Sequence, residues 1–255
     1  MNLNLDTSLL ANYKSSSQVA RILTEQWVLT NMFCPRCGAM HLNHFPNNKP
    51  VADFFCPSCG SEYELKSKGG ALGHKITDGA YQTMIQRITS HNNPDFFFLS
   101  YTKQAWQVVD FIFVPKHFFT PEIIEKRKPL APTARRAGWV GCNILLDSIP
   151  FQGRINIISR GTINDKQHIL NNLRQILPLE TKDIQARGWL FDVLNCVNQL
   201  PPHFSLAELY QFADLLHSKH PENNNINAKI RQQLQILRDK GFLEFLGQGH
   251  YRKIL

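Results

Sequence analysis

Residues Asp53–Lys66 read DFFCPSCGSEYELK, and this stretch decides the fold expected for the first part of the chain. The runs Val51–Phe55 and Ser61–Lys66 have the short apolar or alternating character of β-strands. Between them Cys56-Pro57-Ser58-Cys59 is followed by Gly60, a residue that adopts the positive φ of a tight turn without strain. The sequence therefore predicts two neighbouring strands joined by a short, cysteine-bearing connection.

Three charged residues are expected on the rim of this strand pair. Successive side chains of a strand point to opposite faces, so Glu64 and Lys66 should share a side, with Leu65 buried behind them. Asp53 lies on the first strand. An Asp followed by Glu-x-Lys is the set with which metal-dependent nucleases bind a divalent cation and direct water at a phosphodiester. The alternative is a solvated charged face, where Glu-x-Lys is common.

The chemistry of such a site needs these residue types. Two carboxylates provide the hard oxygen ligands that Mg²⁺ prefers, and the ion keeps several waters. A bound metal ion stabilises charge on the phosphate and lowers the pKa of an attacking water. We therefore expect Asp53 and Glu64 to be metal ligands and catalytic residues. Lys66 would be catalytic by orienting that water or helping to deprotonate it.

Two cysteine pairs, Cys34/Cys37 and Cys56/Cys59, leave eighteen residues between the inner cysteines. This spacing is typical of a four-cysteine zinc site, and four thiolates form a closed shell with a structural role. An iron site would imply redox chemistry, for which the sequence has no further support. The cysteines could also form two disulfides or lie unrelated in the core. Because the N-terminus lacks a secretory signal pattern, we expect a reducing, cytoplasmic location that disfavours disulfides. Cys142 and Cys196 are predicted to be buried packing residues.

Composition suggests a folded protein with a polyanionic partner. The 255 residues include 28 Lys and Arg against 20 Asp and Glu, a formal charge of +8, which favours a polyanionic partner. Hydrophobic residues make up 43% of the chain, and no apolar stretch reaches membrane-spanning length. Residues 1–180 carry 19 basic and 13 acidic residues, and residues 181–255 carry 9 and 7. We expect two domains with these bounds and most of the excess positive charge in the first.

The first domain is predicted to be α/β with a mixed sheet. Helices are expected at Ser15–Thr30 and Asp78–Ser90, separated by a glycine-rich basic loop, Ser67–Lys75. That loop is either a flexible connector or a source of lysines and backbone amides near a phosphate. Further strands are expected at Asp95–Tyr101, Trp106–Val114 and Arg154–Ser159.

A basic segment, Lys126–Val140, is predicted to be irregular because Pro129 and Pro132 remove backbone donors. It is either an ordinary solvated loop or a loop that probes a DNA groove. The candidate DNA-binding residues of this segment are Lys126, Arg127, Arg135, Arg136 and Trp139.

The last 75 residues read as an α+β winged helix. Helices are predicted at Gly188–Leu200, from the capping box of Ser205 and Glu208 to Ser218, and at Ile226–Gly241. A hairpin with a glycine turn follows at Phe242–Ile254. The third helix is positioned as the major-groove reader, although a winged helix can instead be used for protein contacts. Its candidate DNA-binding residues are Lys229, Arg231, Gln232 and Gln235.

Over nearly its full length the chain resembles the DpnI-type methyl-directed restriction endonucleases. The segments that carry the resemblance are Ala20–Glu25, Asn43–Phe45, Pro50–Phe54, Tyr63–Lys68, Lys128–Trp139 and Lys229–Lys240. The likeness implies a PD-(D/E)xK nuclease core with a zinc-stapled hairpin, a C-terminal winged helix and a monomer in solution. It also implies Mg²⁺-dependent type II (type IIM) cleavage of double-stranded DNA at GATC containing N6-methyladenine.

By this resemblance Asp53, Glu64 and the backbone of Leu65 bind Mg²⁺, and Lys66 is the catalytic lysine. One departure concerns the proline of the motif name. It does not directly precede Asp53; Ala52 does, and Pro50 lies three residues back.

Methyl recognition has a physical limit. Burying one methyl against an aromatic ring contributes about 1 kcal/mol, and Trp139 is the residue expected to make that contact. One such contact cannot give strong discrimination. We therefore hypothesise that the winged helix reads the site a second time, or that both methyls of a palindromic site are recognised. Two rival functions are a non-catalytic zinc-ribbon/winged-helix DNA-binding regulator and a repair or structure-selective nuclease with the same core.

Overall fold

The computed structural model describes residues 1–10, 15–46, 52–90, 93–181 and 183–254. The β-strands, in chain order, are β1 (Asn43–His44), β2 (Phe54–Phe55), β3 (Glu62–Gly69), β4 (Lys75–Ala80), β5 (Asp95–Thr102), β6 (Gln107–Val114), β7 (Ile124–Lys126), β8 (Gly141–Leu145), β9 (Ile155–Ser159), β10 (Thr162–Ile163), β11 (His203–Ser205), β12 (Leu243–Gly247) and β13 (His250–Lys253). The α-helices are α1 (Ser16–Asn31), α2 (Tyr81–Ile88), α3 (Lys166–Ile176), α4 (Ile184–Gln199), α5 (Leu206–Tyr210), α6 (Ala213–Lys219) and α7 (Ile226–Asp239).

The main sheet is mixed, as predicted. Among the described residues it has seven strands in the order β1-β2-β3-β5-β6-β9-β10. β2 and β3 form an antiparallel pair, with Phe54 opposite Tyr63. β3 and β5 run parallel, with Glu64 opposite Phe96. The predicted cysteine-bearing connection between two neighbouring strands is confirmed, although residue 51, the start of the first predicted strand, lies outside the described residues.

The core explains why β5 is central. This strand is buried continuously from Asp95 to Tyr101, as expected for a strand covered on both faces. The ring of Phe97 stacks on Tyr63 of β3 at 5.0 Å between centroids. Trp27 of α1 meets Phe111 of β6 edge-on at 5.3 Å. The predicted first helix and the three predicted later strands are confirmed, with bounds that shift by at most one residue.

A second sheet was not anticipated from the sequence. Its strands lie in the order β4-β8-β7, and the helix expected at Asp78–Ser90 begins only at Tyr81. Asp78 instead pairs with Cys142 of β8. The prediction failed because Lys75–Asp78 alternates exposed and buried side chains, with Ile76 buried, and its pairing strand is distant in sequence. The predicted loop Ser67–Lys75 was also wrong at both ends, since β3 extends to Gly69 and β4 begins at Lys75. Helix α3 was missed.

The C-terminal domain is the predicted winged helix. Its strands form a sheet in the order β11-β13-β12, which contains the predicted hairpin. Ser205 and Glu208 form the predicted capping box. The second helix is divided, because α5 ends at Tyr210 and α6 starts at Ala213. In α7 the predicted apolar stripe is confirmed, with Ile230, Leu234 and Leu237 buried and Ile226 partly buried.

Helix α4 packs against the first domain. The rings of Phe191 and Phe118 stack at 4.6 Å. Asn198 and Gln152 exchange two side-chain hydrogen bonds of 3.0 Å, so polar groups at this junction are paired. Among the described residues, no helix is both long enough and apolar enough to cross a membrane.

Candidate active site

The Asp53 carboxylate lies where β2 meets β3. The backbone N–H of Asp53 donates to the carbonyl of Tyr63 at 2.9 Å. Two residues further along β3, the backbone N–H of Leu65 donates to Oδ2 of Asp53 at 2.7 Å. A strand repeats every two residues, so the Leu65 backbone faces the same side as that of Tyr63. Asp53 is thus fixed against the edge of β3 by a backbone donor.

Glu64 and Lys66 share a face of β3, as the alternation predicted. The Lys66 ammonium lies 2.5 Å from Oε1 of Glu64, and the side chains are 17% and 20% exposed respectively. Leu65 is half-buried behind them. The structure therefore brings Asp53, Glu64 and Lys66 to one short segment of β3.

Asp78 is a further carboxylate at this site. Its Oδ1 contacts the Lys66 ammonium, and its side chain is 8% exposed. Sequence reasoning placed Asp78 at the start of a helix, where it would have had no relation to Lys66. The available signal was the strand-like alternation of Lys75–Asp78, with Ile76 buried and Asp78 on the same side of the strand.

Arg87, in the last turn of α2, completes a row of alternating charges. One of its guanidinium nitrogens lies 3.8 Å from Oε2 of Glu64, and its side chain is 12% exposed. We call Asp78, Lys66, Glu64 and Arg87 the charge cluster. Its members come from β4, β3 and α2, so the cluster connects both sheets of the first domain.

Burial and charge oppose each other in the charge cluster. Burial raises the pKa of Glu64, and the positive charge of Lys66 only partly offsets this. Burial alone would lower the pKa of Lys66, but the carboxylates of Glu64 and Asp78 outweigh it and raise that pKa. Lys66 is therefore held as an ammonium. Any further positive charge close to Glu64 would favour the ionised form of its carboxylate.

Glu25 of α1 extends the acidic character toward Asp53. Its side chain is 15% exposed and lies 3.3 Å from Nε2 of His44. Burial, and then the negative charge of Asp53, raise the pKa of Glu25. Helical spacing predicted α1 itself, but the approach of Glu25 to β1 and β2 depends on packing that spacing does not reveal.

The four cysteines Cys34, Cys37, Cys56 and Cys59 bring their sulfurs within 4.8 Å of one another. The Cys34–Cys59 and Cys37–Cys56 sulfur distances are both 3.6 Å. Four thiolates at about 2.3 Å from a tetrahedral zinc ion would be about 3.8 Å apart. The arrangement fits zinc, and the short connection between β2 and β3 contributes two of the four sulfurs.

Contacts from the cysteine cluster reach the candidate active site. Sγ of Cys34 lies 2.9 Å from the hydroxyl of Tyr63, the residue before Glu64. Arg36, between the first two cysteines, makes a two-pronged ion pair with Asp95 at 2.7 and 2.8 Å. Asp95 starts β5, the parallel partner of β3. As predicted, Cys142 and Cys196 are buried outside this cluster.

The basic segment forms an irregular loop attached to the second sheet. Its four predicted basic residues are exposed: Lys126, Arg127, Arg135 and Arg136. The guanidinium of Arg136 lies 4.5 Å from the ring centre of Trp139. Lys126 is the last residue of β7 rather than part of the loop.

Trp139 is half-buried because its ring lies over the backbone of Gly141. A Cβ at Gly141 would come within 2.8 Å of that ring, so only glycine permits this approach. Gly141 pairs with Ala80 of β4, two residues from Asp78. The same sheet therefore carries Asp78 and supports Trp139.

The predicted recognition face of α7 is largely open. Arg231, Gln232 and Gln235 are exposed, and Lys229 is half-buried. A guanidinium nitrogen of Arg231 donates to the Tyr210 hydroxyl at 2.7 Å. The structure thus places the nine predicted DNA-contact residues on two separate surfaces, the loop beside β7 and β8 and the outer face of α7.

Two protein-family models match the chain, one after the other. Residues 1–182 match the family model described as DpnI, the Dam-replacing family. Residues 185–253 match the model described as the Dam-replacing helix-turn-helix domain of DpnI. Together the two matches span nearly the whole chain. The chain belongs to the DpnI-type family of restriction endonucleases, DNA-binding nucleases with a C-terminal winged helix.

Proposed function

We propose that this protein is a Mg²⁺-dependent type II (type IIM) site-specific deoxyribonuclease with a PD-(D/E)xK active site. The observation that carries the proposal is the meeting of Asp53, Glu64 and Lys66 on one segment of β3. Asp53 bonds to the Leu65 amide at 2.7 Å, and Lys66 lies 2.5 Å from Glu64. A non-catalytic DNA-binding regulator has no use for a half-buried cluster of this composition.

The donor set suits magnesium. The carboxylates of Asp53 and Glu64, with the backbone carbonyl of Leu65, offer hard oxygen ligands on one edge of the sheet. Bound there, Mg²⁺ would offset charge on the scissile phosphate and lower the pKa of an attacking water. Because Glu64 lies in a partly buried site that raises its pKa, a cation nearby favours its ionised, metal-binding form.

Lys66 has the role of orienting the water and offsetting negative charge that develops on the phosphate. It is held as an ammonium by two carboxylates, so it acts as a hydrogen-bond donor and positive charge. In that state it positions the water oxygen; it does not accept the proton of the water. The proton passes to solvent or to a phosphate oxygen.

We infer that the substrate is double-stranded DNA carrying N6-methyladenine in GATC. Family membership supports this specificity, as does the exposed loop with its half-buried Trp139 and stacked Arg136. Lys126, Arg127 and Arg135 would contact phosphates or base edges beside that ring. On the second surface, Arg231, Gln232 and Gln235 are suited to guanine and adenine edges in a major groove, with Lys229 contributing charge.

The remaining assignments follow from the same family. We propose structural zinc on the four cysteines, residues 1–180 as the nuclease domain and residues 181–255 as the DNA-binding domain. A cytoplasmic location and a monomeric state in solution complete the proposal. The thiolate cluster favours a reducing compartment, because metal binding needs unoxidised cysteines.

Plasmid cleavage tests the proposal. Plasmid DNA with and without adenine methylation at GATC is incubated with the protein and Mg²⁺, and with EDTA as a control. We expect cutting of the methylated plasmid alone, and only with Mg²⁺. Cutting of both plasmids would support the repair nuclease instead, and binding without cutting would support the regulator.

A further inference from the structure

Asp78 is the member of the charge cluster that the proposed function does not use. It lies on β4, in a different sheet from Glu64. Its carboxylate is 8% exposed and contacts the Lys66 ammonium directly. A buried carboxylate paired with a half-buried lysine is unusual, because removing both charges from water costs free energy unless the pair has good geometry.

The three acidic residues of the site are held in different ways. Asp53 accepts a backbone N–H from Leu65 at 2.7 Å. Glu64 lies between two cations, with Lys66 at 2.5 Å and Arg87 at 3.8 Å. The contact of Asp78 at this site is with Lys66. The ammonium therefore bridges two carboxylates, one on its own strand and one on β4.

This bridge matters when Glu64 binds a metal ion. An ammonium in close contact with a carboxylate competes with a metal ion for the same oxygens and the same negative charge, so Lys66 at 2.5 Å weakens the affinity of Glu64 for a cation. Without another counter-charge, the ammonium would stay on Glu64 and compete with the metal. Asp78 provides that counter-charge from a strand that does not carry the proposed metal ligands.

We propose that Asp78 is a positioning residue that shares the Lys66 ammonium with Glu64 and draws it off Glu64 when Glu64 binds the divalent cation. The proposal rests on the function proposed above. Asp78 acts through Lys66 and is not itself a metal ligand. Among the described residues, the group of three or more Cys, His, Asp or Glu side chains whose ligand atoms lie within 4.8 Å of one another consists of the four cysteines. Asp53, Glu64 and Asp78 thus form no compact three-carboxylate cage.

A double-mutant cycle tests this role. Mn²⁺ binding to the DNA-free protein is measured by calorimetry for the natural chain, Asp78→Asn, Lys66→Ala and the double variant. We expect Asp78→Asn to weaken Mn²⁺ binding by about three- to tenfold, because Lys66 then pairs with Glu64 alone. In the Lys66→Ala background the same change should alter the affinity by less than about twofold, and Lys66→Ala alone should strengthen binding.

Control variants separate positioning from folding. Glu125→Gln removes a carboxylate from β7 of the same sheet, where it pairs with the exposed Lys75 at 2.9 Å, and should leave Mn²⁺ binding unchanged. Asp78→Glu keeps the charge and should restore most of the affinity lost in Asp78→Asn. Thermal unfolding of each variant shows whether it is folded. If Asp78→Asn is not folded, Asp78→Glu is used in the test instead.

The outcomes distinguish this inference from the proposed function. Equal weakening by Asp78→Asn with and without Lys66 would make Asp78 a metal ligand and overturn the positioning role. No weakening in either background would also overturn it. If neither the natural chain nor Glu64→Gln binds Mn²⁺, the result would instead refute the metal site on which both proposals depend.

Discussion

The charge cluster and the outer face of α7 are both polar, but they are built in opposite ways. In the cluster, Lys66 and Glu64 are 17% and 20% exposed and touch one another. On α7, the predicted reading residues Gln232 and Gln235 are exposed on a single helix. A half-buried, cross-linked site suits chemistry at one fixed point. An open helical face suits reading a sequence. Substitutions in the cluster should therefore affect rate, and substitutions on α7 should affect affinity.

The sharpest test of this contrast is Lys66→Ala. We expect cleavage to fall by about 10²–10⁴-fold, because the ammonium proposed to orient water and offset charge is lost. Binding of methylated duplex in EDTA should stay within about threefold of the natural chain. Single-turnover cleavage and a binding titration measure the two quantities.

Lys68→Ala is the matched control for that experiment. Lys68 follows two residues later on the same strand and is exposed, and its ammonium donates to the carbonyl of Leu72 at 3.1 Å. Its loss should change cleavage by less than about tenfold. If both variants lost cleavage equally, the cluster would have no special role in rate.

Breaking the cysteine cluster should destabilise the first domain, which contains the charge cluster, and leave α7 folded. Cys56→Ser removes a buried thiolate, and zinc-site binding contributes several kcal/mol to folding. We expect loss of bound zinc, measured by elemental analysis, and a fall in thermal stability of about 10 °C or more. Cys196→Ser changes a buried cysteine outside the cluster. It should keep its zinc, and loss of zinc there would contradict the assignment.

Arg231→Ala tests the reading face. Loss of a base contact by an arginine costs about 1–3 kcal/mol, so affinity for the methylated site should fall by about 5- to 150-fold. The single-turnover rate at saturating protein should be unchanged. Arg238→Ala is the control, since Arg238 pairs with its neighbour Asp239 at 2.8 Å. A fall in rate rather than in affinity for Arg231→Ala would contradict the assignment of affinity to α7 and of rate to the charge cluster.

His117, which lies beside Phe118 and Phe191 where helix α4 packs on the first domain, makes stability depend on pH. It is 1% exposed, and neither ring nitrogen has a hydrogen-bond partner among the described residues. Burial, reinforced by the charges of Arg36 and Arg187, lowers the pKa of His117 to about 3 from 6.5.

The sign of that effect follows from the two protonation states. Below pH 6.5 the unfolded chain binds a proton at His117 that the folded chain excludes until about pH 3. The free energy of unfolding should therefore fall, by up to about 1.4 kcal/mol per pH unit, as the pH drops through this window. Urea unfolding at pH 7 and pH 5.5 measures this loss, which His117→Phe should reduce. An unchanged pH dependence in His117→Phe would assign the loss to other groups.

The smallest effect is expected for Trp139→Ala. One methyl on an aromatic ring contributes about 1 kcal/mol, so the preference for methylated over unmethylated duplex should fall by about fivefold. Binding titrations with the two duplexes give that ratio. Removing Trp139 also frees space above Gly141, so Trp139→Phe separates loss of the contact from loosening of the loop. An unchanged ratio in both variants would place methyl recognition elsewhere, with α7 as the next candidate.

The parts of this molecule that could be predicted are those encoded locally. The cysteine spacing, the alternation from Ser61 to Lys66, and the capping box with the α7 stripe all concern residues close in sequence. Asp78 was misassigned because its environment comes from β8, more than sixty residues later. The neighbours of Arg87 and Glu25 likewise depend on how α2 and α1 pack on sheets assembled from distant strands.

The stacking of Phe191 on Phe118 has a practical meaning for engineering this enzyme. Helix α4 belongs by chain position to the DNA-reading half, yet its buried side forms part of the surface that closes the other half. A chimera joined before Ile184 would leave the Phe118 ring without its cover and the amide of Gln152 without Asn198. Joining after Gln199 keeps both contacts, but the foreign reader must then present to α4 the apolar face that α7 presents in this chain.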